Sequence, residues 1–154
     1  MTSAQTSPPP LVVRADEGER IHAAGLDHLF KLTGEHTAGL LGLEEVVVPP
    51  KTLGARPHVH GSHDEYFYVL DGELTVVLDT GEVVLRTGDL AAAPRGTLHG
   101  FHNTSDEPAR GLGLFTPPGY EQYFRDVHAA VESGTPLTDD LLVELRSCYD
   151  TKTR

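Results

Sequence analysis

Between Thr37 and Pro118 the chain is cut into short runs of β-formers by glycine and proline turns. Leu70-Asp71-Gly72-Glu73 and Asp79-Thr80-Gly81-Glu82 read as hairpin connections, where glycine supplies the positive φ of a tight turn. Thr87-Gly88-Asp89 and Pro94-Arg95-Gly96 punctuate the next two strands. Pro49-Pro50 ends an earlier one, because proline cannot donate to a ladder. Short strands at this spacing predict an all-β sandwich or barrel and argue against βαβ units.

The flanks are read the same way. Met1–Pro10 is polar and proline-rich and is expected to be a disordered tail, or an arm lying on a neighbouring subunit. Leu11-Val12-Val13 is expected to form a short edge strand and Asp16 to Gly25 a loop with room for one helical turn, and Leu26–Leu32 and Thr37–Val48 are rich in β-formers broken by glycines. In the last of these, Leu41, Leu43, Glu45 and Val47 share one face, and Gly42, Glu44, Val46 and Val48 share the other. After Pro117-Pro118-Gly119, Tyr120, Phe124, Val127 and Val131 recur at helical spacing and predict an amphipathic helix over Tyr120 to Ser133. Thr138 followed by Asp139-Asp140 is a helix start, with Leu141, Leu142, Leu145 and Tyr149 as its apolar face. The expected organisation is a tail over 1–10, a barrel over 11–118, and helices packed on it over 119–150.

With 154 residues the chain has the size of one domain with a real core. Its 12 basic and 23 acidic residues leave a net charge of −11, which repels phosphate backbones and anionic lipid. Nucleic acid and membrane surfaces are therefore not expected as partners. The single cysteine, Cys148, excludes an internal disulfide framework and a thiolate zinc cluster, and is read as a small apolar residue in a helix. No apolar run approaches the roughly 18 residues of a membrane span. Met1 to Pro10 lacks the basic and apolar regions of a signal peptide, so a cytoplasmic location is expected.

The chemistry is concentrated in two stretches. In Pro57-His58-Val59-His60-Gly61-Ser62-His63-Asp64-Glu65, the histidines at i and i+2 project from the same face of a strand, with a carboxylate five residues on. Two imidazoles and a carboxylate suit a divalent metal. The second stretch runs from Gly88 to Asn103, where His99 opens a strand after the Pro94-Arg95-Gly96 turn. In a small barrel that strand can lie beside the one carrying His58 and His60. His63 and His102 are read as turn or surface histidines, and His22, His28, His36 and His128 have no constellation around them in the sequence.

The two stretches resemble the cupin superfamily. Its first motif is met by His58, His60, Glu65 and Gly72, and its second by Gly88, Pro94, Gly96, His99 and Asn103. The family usually has glycine six residues before the first histidine; here that position is Thr52, with Gly54 nearby. The resemblance implies a cupin β-barrel, a double-stranded antiparallel jelly roll with short C-terminal α-helices, that holds one divalent metal through His58, His60, Glu65 and His99. Such a ligand set leaves coordination positions open for water, dioxygen or a chelating substrate, and does not choose among Fe, Mn, Co, Ni, Cu and Zn. Glu65 could instead stay off the metal as a general base.

Phe67, Val69 and Phe101 share the faces of the ligands and are expected as core and pocket walls. Tyr120 and Phe124 open the helix, and either close the barrel mouth or pack on the outer sheet. Among cupins the pattern is most similar to small single-domain flavonol (quercetin-type) dioxygenases of bacteria. This implies an oxygenase acting on a small chelating aromatic or enolic substrate, with Glu65 as the catalytic proton acceptor. A non-redox cyclase, isomerase or decarboxylase, and a binding module without turnover, are the alternative readings. The resemblance also implies a homodimer, with Leu11 to Val13 crossing to the partner.

Overall fold

The computed structural model describes residues 7–154. The expectation for Met1–Pro10 therefore lies largely outside the described residues; Ser7–Pro10 carry no regular structure. Eleven strands and two helices follow in the order β1 (Glu19–Ala23), β2 (Leu26–Leu32), β3 (Gly42–Val48), β4 (Thr52–His60), β5 (Asp64–Asp71), β6 (Glu73–Leu78), β7 (Gly81–Arg86), β8 (Leu90–Ala93), β9 (Leu98–Asn103), β10 (Ala109–Thr116), α1 (Glu121–Glu132), α2 (Asp139–Ser147) and β11 (Thr151–Thr153). They form a six-stranded sheet, β1-β2-β3-β10-β5-β8, and a five-stranded sheet, β11-β4-β9-β6-β7. Every pairing is antiparallel.

The alternation read in β3 decides which face goes inside: Gly42, Glu44, Val46 and Val48 are buried, and the residues between them are half-buried. Val46 and Val48 meet Phe67 and Val69 of β5 and Leu74 and Val76 of β6, so this core takes side chains from both sheets. A second cluster closes one end of the barrel. There Ile21 and Ala23 of β1 and Phe115 of β10 pack against Tyr120, Tyr123 and Val127 at the start of the α1 face. Val131, assigned to that face by its spacing, is instead exposed. Thr138 caps α2 as expected, its hydroxyl accepting from Leu141 N at 3.2 Å. Cys148 follows α2 and is exposed rather than packed.

Two local expectations are corrected. Leu11–Val13 is not a strand; Leu11 and Val12 are exposed. Asp16–Gly25 is not a loop, because Glu19–Ala23 pairs with β2 through a two-residue turn in which Ala24 (φ 51°) and Gly25 (φ 83°) both take left-handed conformations. An alanine at that position hides the turn from sequence inspection. Beyond the segments assigned from the sequence, the chain returns after α2 as β11 alongside β4, Thr151 opposite His60 and Thr153 opposite His58. The turn before β4 is made without glycine at Thr52, since Lys51 itself adopts φ 54°. Gly54 serves a different need: a Cβ there would stand 2.0 Å from the Phe101 ring.

Candidate metal centre

The two histidines of β4 alternate inward with Val59 between them, and both are buried. A β-bulge between Ala55 and His58 sets their register against β9 and leaves His58 directly opposite His99. These three histidines come from the five-stranded sheet. Glu65 comes from β5 in the facing sheet, so the cluster bridges the two layers. Turns lock it in place. Gly96 N donates to His60 O at 2.7 Å, and Arg95 N and Nε donate to Asp64 Oδ1 at 2.8 and 3.0 Å, tying the Pro94–Gly96 turn to both β4 and β5. Gly61 N donates to Asp150 O at 2.8 Å, and a Cβ at Gly61 would require the Asp150 carboxylate to move.

One donor atom from each of His58, His60, Glu65 and His99 lies within 4.8 Å of the others. His60 Nε2 and His99 Nε2 each stand 3.0 Å from Glu65 Oε2, and His58 Nε2 stands 3.1 Å from His60 Nε2. The outer nitrogens are all engaged. His58 Nδ1 donates to Arg56 O at 2.7 Å and His99 Nδ1 to Thr97 O at 3.2 Å. His60 Nδ1 pairs with Thr151 Oγ1 at 2.7 Å, and that hydroxyl donates to Tyr149 O, so it is left to accept from the imidazole. Each ring is thereby held in the tautomer whose Nε2 lone pair points at the common centre. Lone pairs converging at such distances repel unless a cation lies among them. The donor set therefore fits a divalent metal, on chemistry as well as geometry.

The electrostatics agree. Burial, with the charge of His99, lowers the His58 pKa to about 3, so this imidazole is neutral and ready to ligate. Burial opposes ionisation of Glu65, but when protons rather than a metal occupy the centre, Nε2–H of His60 and His99 donate to it, and these hydrogen bonds outweigh burial and hold the carboxyl well below the usual range. Burial disfavours His99 charge too, yet its hydrogen bond to Glu65 leaves its pKa raised. Asn103, the last motif residue, is not part of the cluster. Its amide donates to Val48 O and Glu107 O and its carbonyl accepts from Ser105 N, which fixes the turn after β9.

A small cavity, open to solvent on one side, adjoins the centre. His58 and Glu65 form one part of its wall, and Phe67, Phe101, Tyr120 and Phe124 form others. Val69 is not among the lining residues; it is fully buried in the barrel core. Tyr120 sits edge-on to His60 at 4.6 Å between ring centroids, so the start of α1 packs on the centre as well as on the sheet. Arg146 of α2 also reaches the wall, its Nε donating to the Tyr123 hydroxyl at 3.2 Å.

Two histidine expectations change. His63 is buried, not at the surface: its ring lies 3.9 Å from that of His60 and 4.8 Å from that of Tyr120. Burial lowers its pKa to about 4. Its turn position concealed this, because the covering ring comes from α1. His28 has partners after all. It is buried, bonds Glu44 through Nδ1 at 2.6 Å, and lines the cavity. His102 is half-buried and contributes no donor to the cluster. His36 braces the turn after β2 by accepting from Thr33 N, and His22 and His128 are exposed or half-exposed neighbours on β1 and α1.

The model of the cupin domain matches residues 44–115. Quercetin 2,3-dioxygenase of Bacillus subtilis is 29% identical over 119 residues, covering 75% of this chain and 34% of that protein. The first curated relatives are longer, and the chain spans between about a third and about half of their length. Among solved structures, a sugar phosphate isomerase from Silicibacter pomeroyi is 29% identical with a TM-score of 0.61, covering 69% of this chain and 75% of that one. The polyketide cyclase RemF from Streptomyces resistomycificus superposes with a TM-score of 0.61 at 24% identity, over 70% of this chain and 80% of that one, a likeness of fold. No helix among the described residues is long and apolar enough to cross a membrane.

Proposed function

The chain belongs to the cupin superfamily, and on that footing we propose that it is a metal-dependent oxygenase acting on a small, planar, chelating substrate of flavonol or enolic type. The observation that carries this reading is the meeting of a His-His-Glu-His donor set with a cavity walled by Phe67, Phe101, Tyr120 and Phe124. His58, His60, Glu65 and His99 would hold one divalent ion. When bound, that ion supplies Lewis acidity and, if redox-active, a route for electrons to dioxygen.

The rest of the work falls to the chain. The aromatic walls orient a flat ring system and keep water from it. Glu65 is the carboxylate of the donor set, and in this reading it is the group that accepts the proton of an acidic enol or flavonol hydroxyl brought to the centre. Tyr120, whose phenol burial holds protonated, closes the side of the cavity next to His60. The likeness to the Bacillus subtilis dioxygenase supports this substrate class.

Oxygen uptake is the test. Metal-loaded protein incubated with flavonols and enolic polyketides should consume dioxygen as product appears; equal product under anaerobic conditions would remove the oxygenase reading. A second reading, a non-redox isomerase or cyclase that uses the same centre as a Lewis acid, draws on the likeness to the sugar phosphate isomerase. It predicts turnover that is indifferent to oxygen.

A further inference from the structure

The cavity has a second polar station on its wall. His28 of β2 and Glu44 of β3 are joined Nδ1 to Oε2 at 2.6 Å, with side chains only 2% and 5% exposed. Both residues line the cavity that His58 and Glu65 also line. His28 Nε2 is buried and has no hydrogen-bond partner among the described residues. Such an atom costs free energy unless something pairs with it. Burying such a pair is weak evidence of a stabilising role, because the cost of desolvating both groups offsets their attraction. Space is kept for it: a Cβ at Gly113 would stand 3.1 Å from Glu44 Cγ and Oε1.

The surroundings say what the imidazole faces. Its ring stacks on Phe30 (interplanar angle 8°) and lies 4.2 Å from the Phe124 ring, and Phe67 and Phe101 line the same cavity. A ligand here is flat and largely apolar. The dyad also selects the polar group. With Glu44 ionised and the imidazole neutral, Nδ1–H donates to it and Nε2 accepts; with a further proton on the pair, whether on Glu44 or on the ring, Nε2–H donates. A hydroxyl can answer both states, whereas a carbonyl answers only the second.

We propose that His28, held in orientation by Glu44, is a second substrate contact, binding through Nε2 a hydroxyl group of a planar aromatic ligand other than the group that reaches the four-donor centre. The proposal rests on the reading of the cavity as a substrate site and adds to it a requirement for a polyhydroxylated substrate. Glu44 is a positioning residue that acts through His28.

Two substitutions separate this role from a structural one. In His28→Asn the amide stands about where Nδ1 stands, so the bond to Glu44 survives while Nε2 is lost. In His28→Gln the amide reaches about as far as Nε2. Calorimetry on metal-loaded protein would compare quercetin, 3-hydroxyflavone (which lacks the additional ring hydroxyls) and phenol. We expect wild type to prefer quercetin over 3-hydroxyflavone by about tenfold, the worth of one good hydrogen bond. His28→Asn should abolish that preference and weaken phenol, leave 3-hydroxyflavone and metal content unchanged, and His28→Gln should restore part of the preference. A folded His28→Asn protein that keeps the wild-type preference overturns the proposal.

If no flavonol binds wild type, the flavonol reading fails, and phenol alone decides the role of His28. Loss of phenol binding in His28→Asn then supports the contact, and phenol binding that is equal in both proteins, or absent from wild type, overturns it. Should His28→Asn not fold, the ring-nitrogen resonance of His28 in wild type is followed instead: saturating phenol must shift Nε2, and an unmoved resonance overturns the contact.

Discussion

His58 and His99 are direct cross-strand partners on β4 and β9, with ring centroids 4.4 Å apart. This pairing exists because β4 is irregular just before it. The chain at Ala55–Pro57 presses against Gly100, where a Cβ would meet Ala55 O at 2.8 Å and Pro57 N at 2.9 Å. Both obstacles are backbone, so they cannot swing aside as a side chain end can.

Gly100→Ala should therefore push β4 away from β9 and part the two histidines. The expected outcome is a loss of about 1–3 kcal/mol in stability, as for other overpacked sites, together with weaker metal binding. Denaturant unfolding and metal titration check the two effects. An alanine variant of wild-type stability would mean that the strands separate freely here.

Thr151 backs His60 from the last strand of the chain. Thr151→Val keeps the shape and removes the oxygen that accepts from Nδ1. Metal affinity should fall about ten- to a hundredfold, the range for losing a partner behind a ligating histidine. Competition with a metallochromic chelator measures it, and an unchanged affinity would show that the ring holds its orientation without Thr151.

Glu65→Gln should retain more metal than variants lacking one of the imidazoles, yet lose turnover. The amide can still offer an oxygen to the centre but is a far weaker proton acceptor. Parallel metal analysis and rate measurements separate the two roles; full activity would reduce Glu65 to a structural residue.

Arg125 of α1 reaches back to Glu19 of β1, Nη2 standing 2.6 Å from Oε2. The hydrogen bond from Arg125, opposed by partial burial and aided by the guanidinium charge, lowers the Glu19 pKa. A carboxyl with a depressed folded-state pKa contributes stability above its unfolded value, and that contribution is lost as pH falls through the folded value. Arg125→Gln should thus lower stability by no more than about 1 kcal/mol at neutral pH, because both partners are well exposed. The gap to wild type should close as pH drops below about 4. Thermal melts at several pH values would show it, and a gap that persists in acid would point to packing rather than charge.

Much of the fold was legible because it rests on local rules. Two-residue alternation placed His58 and His60 on one face and Val46 and Val48 on the inside, and Gly72, Gly81, Gly88 and Gly96 all take the positive φ their turns required. The meeting of His99 with His58 followed from the resemblance and from strand order. What the sequence concealed is what depends on distant partners. Thr151 gains its place only when the chain returns along β4 after two helices. His63 looks like a turn residue until Tyr120 covers it, and His28 is an isolated histidine until β2 pairs with β3 and brings Glu44 beside it, 16 residues away. β1 was missed for a local reason, an alanine in a left-handed turn position.

The central claim is that four side chains from two sheets form one metal centre. Elemental analysis of purified wild type, His60→Ala and His99→Ala tests it most directly, with circular dichroism to confirm that each variant is folded. The account predicts about one divalent ion per chain in wild type and a near-complete loss in both folded variants. Full metal stoichiometry in both would contradict it.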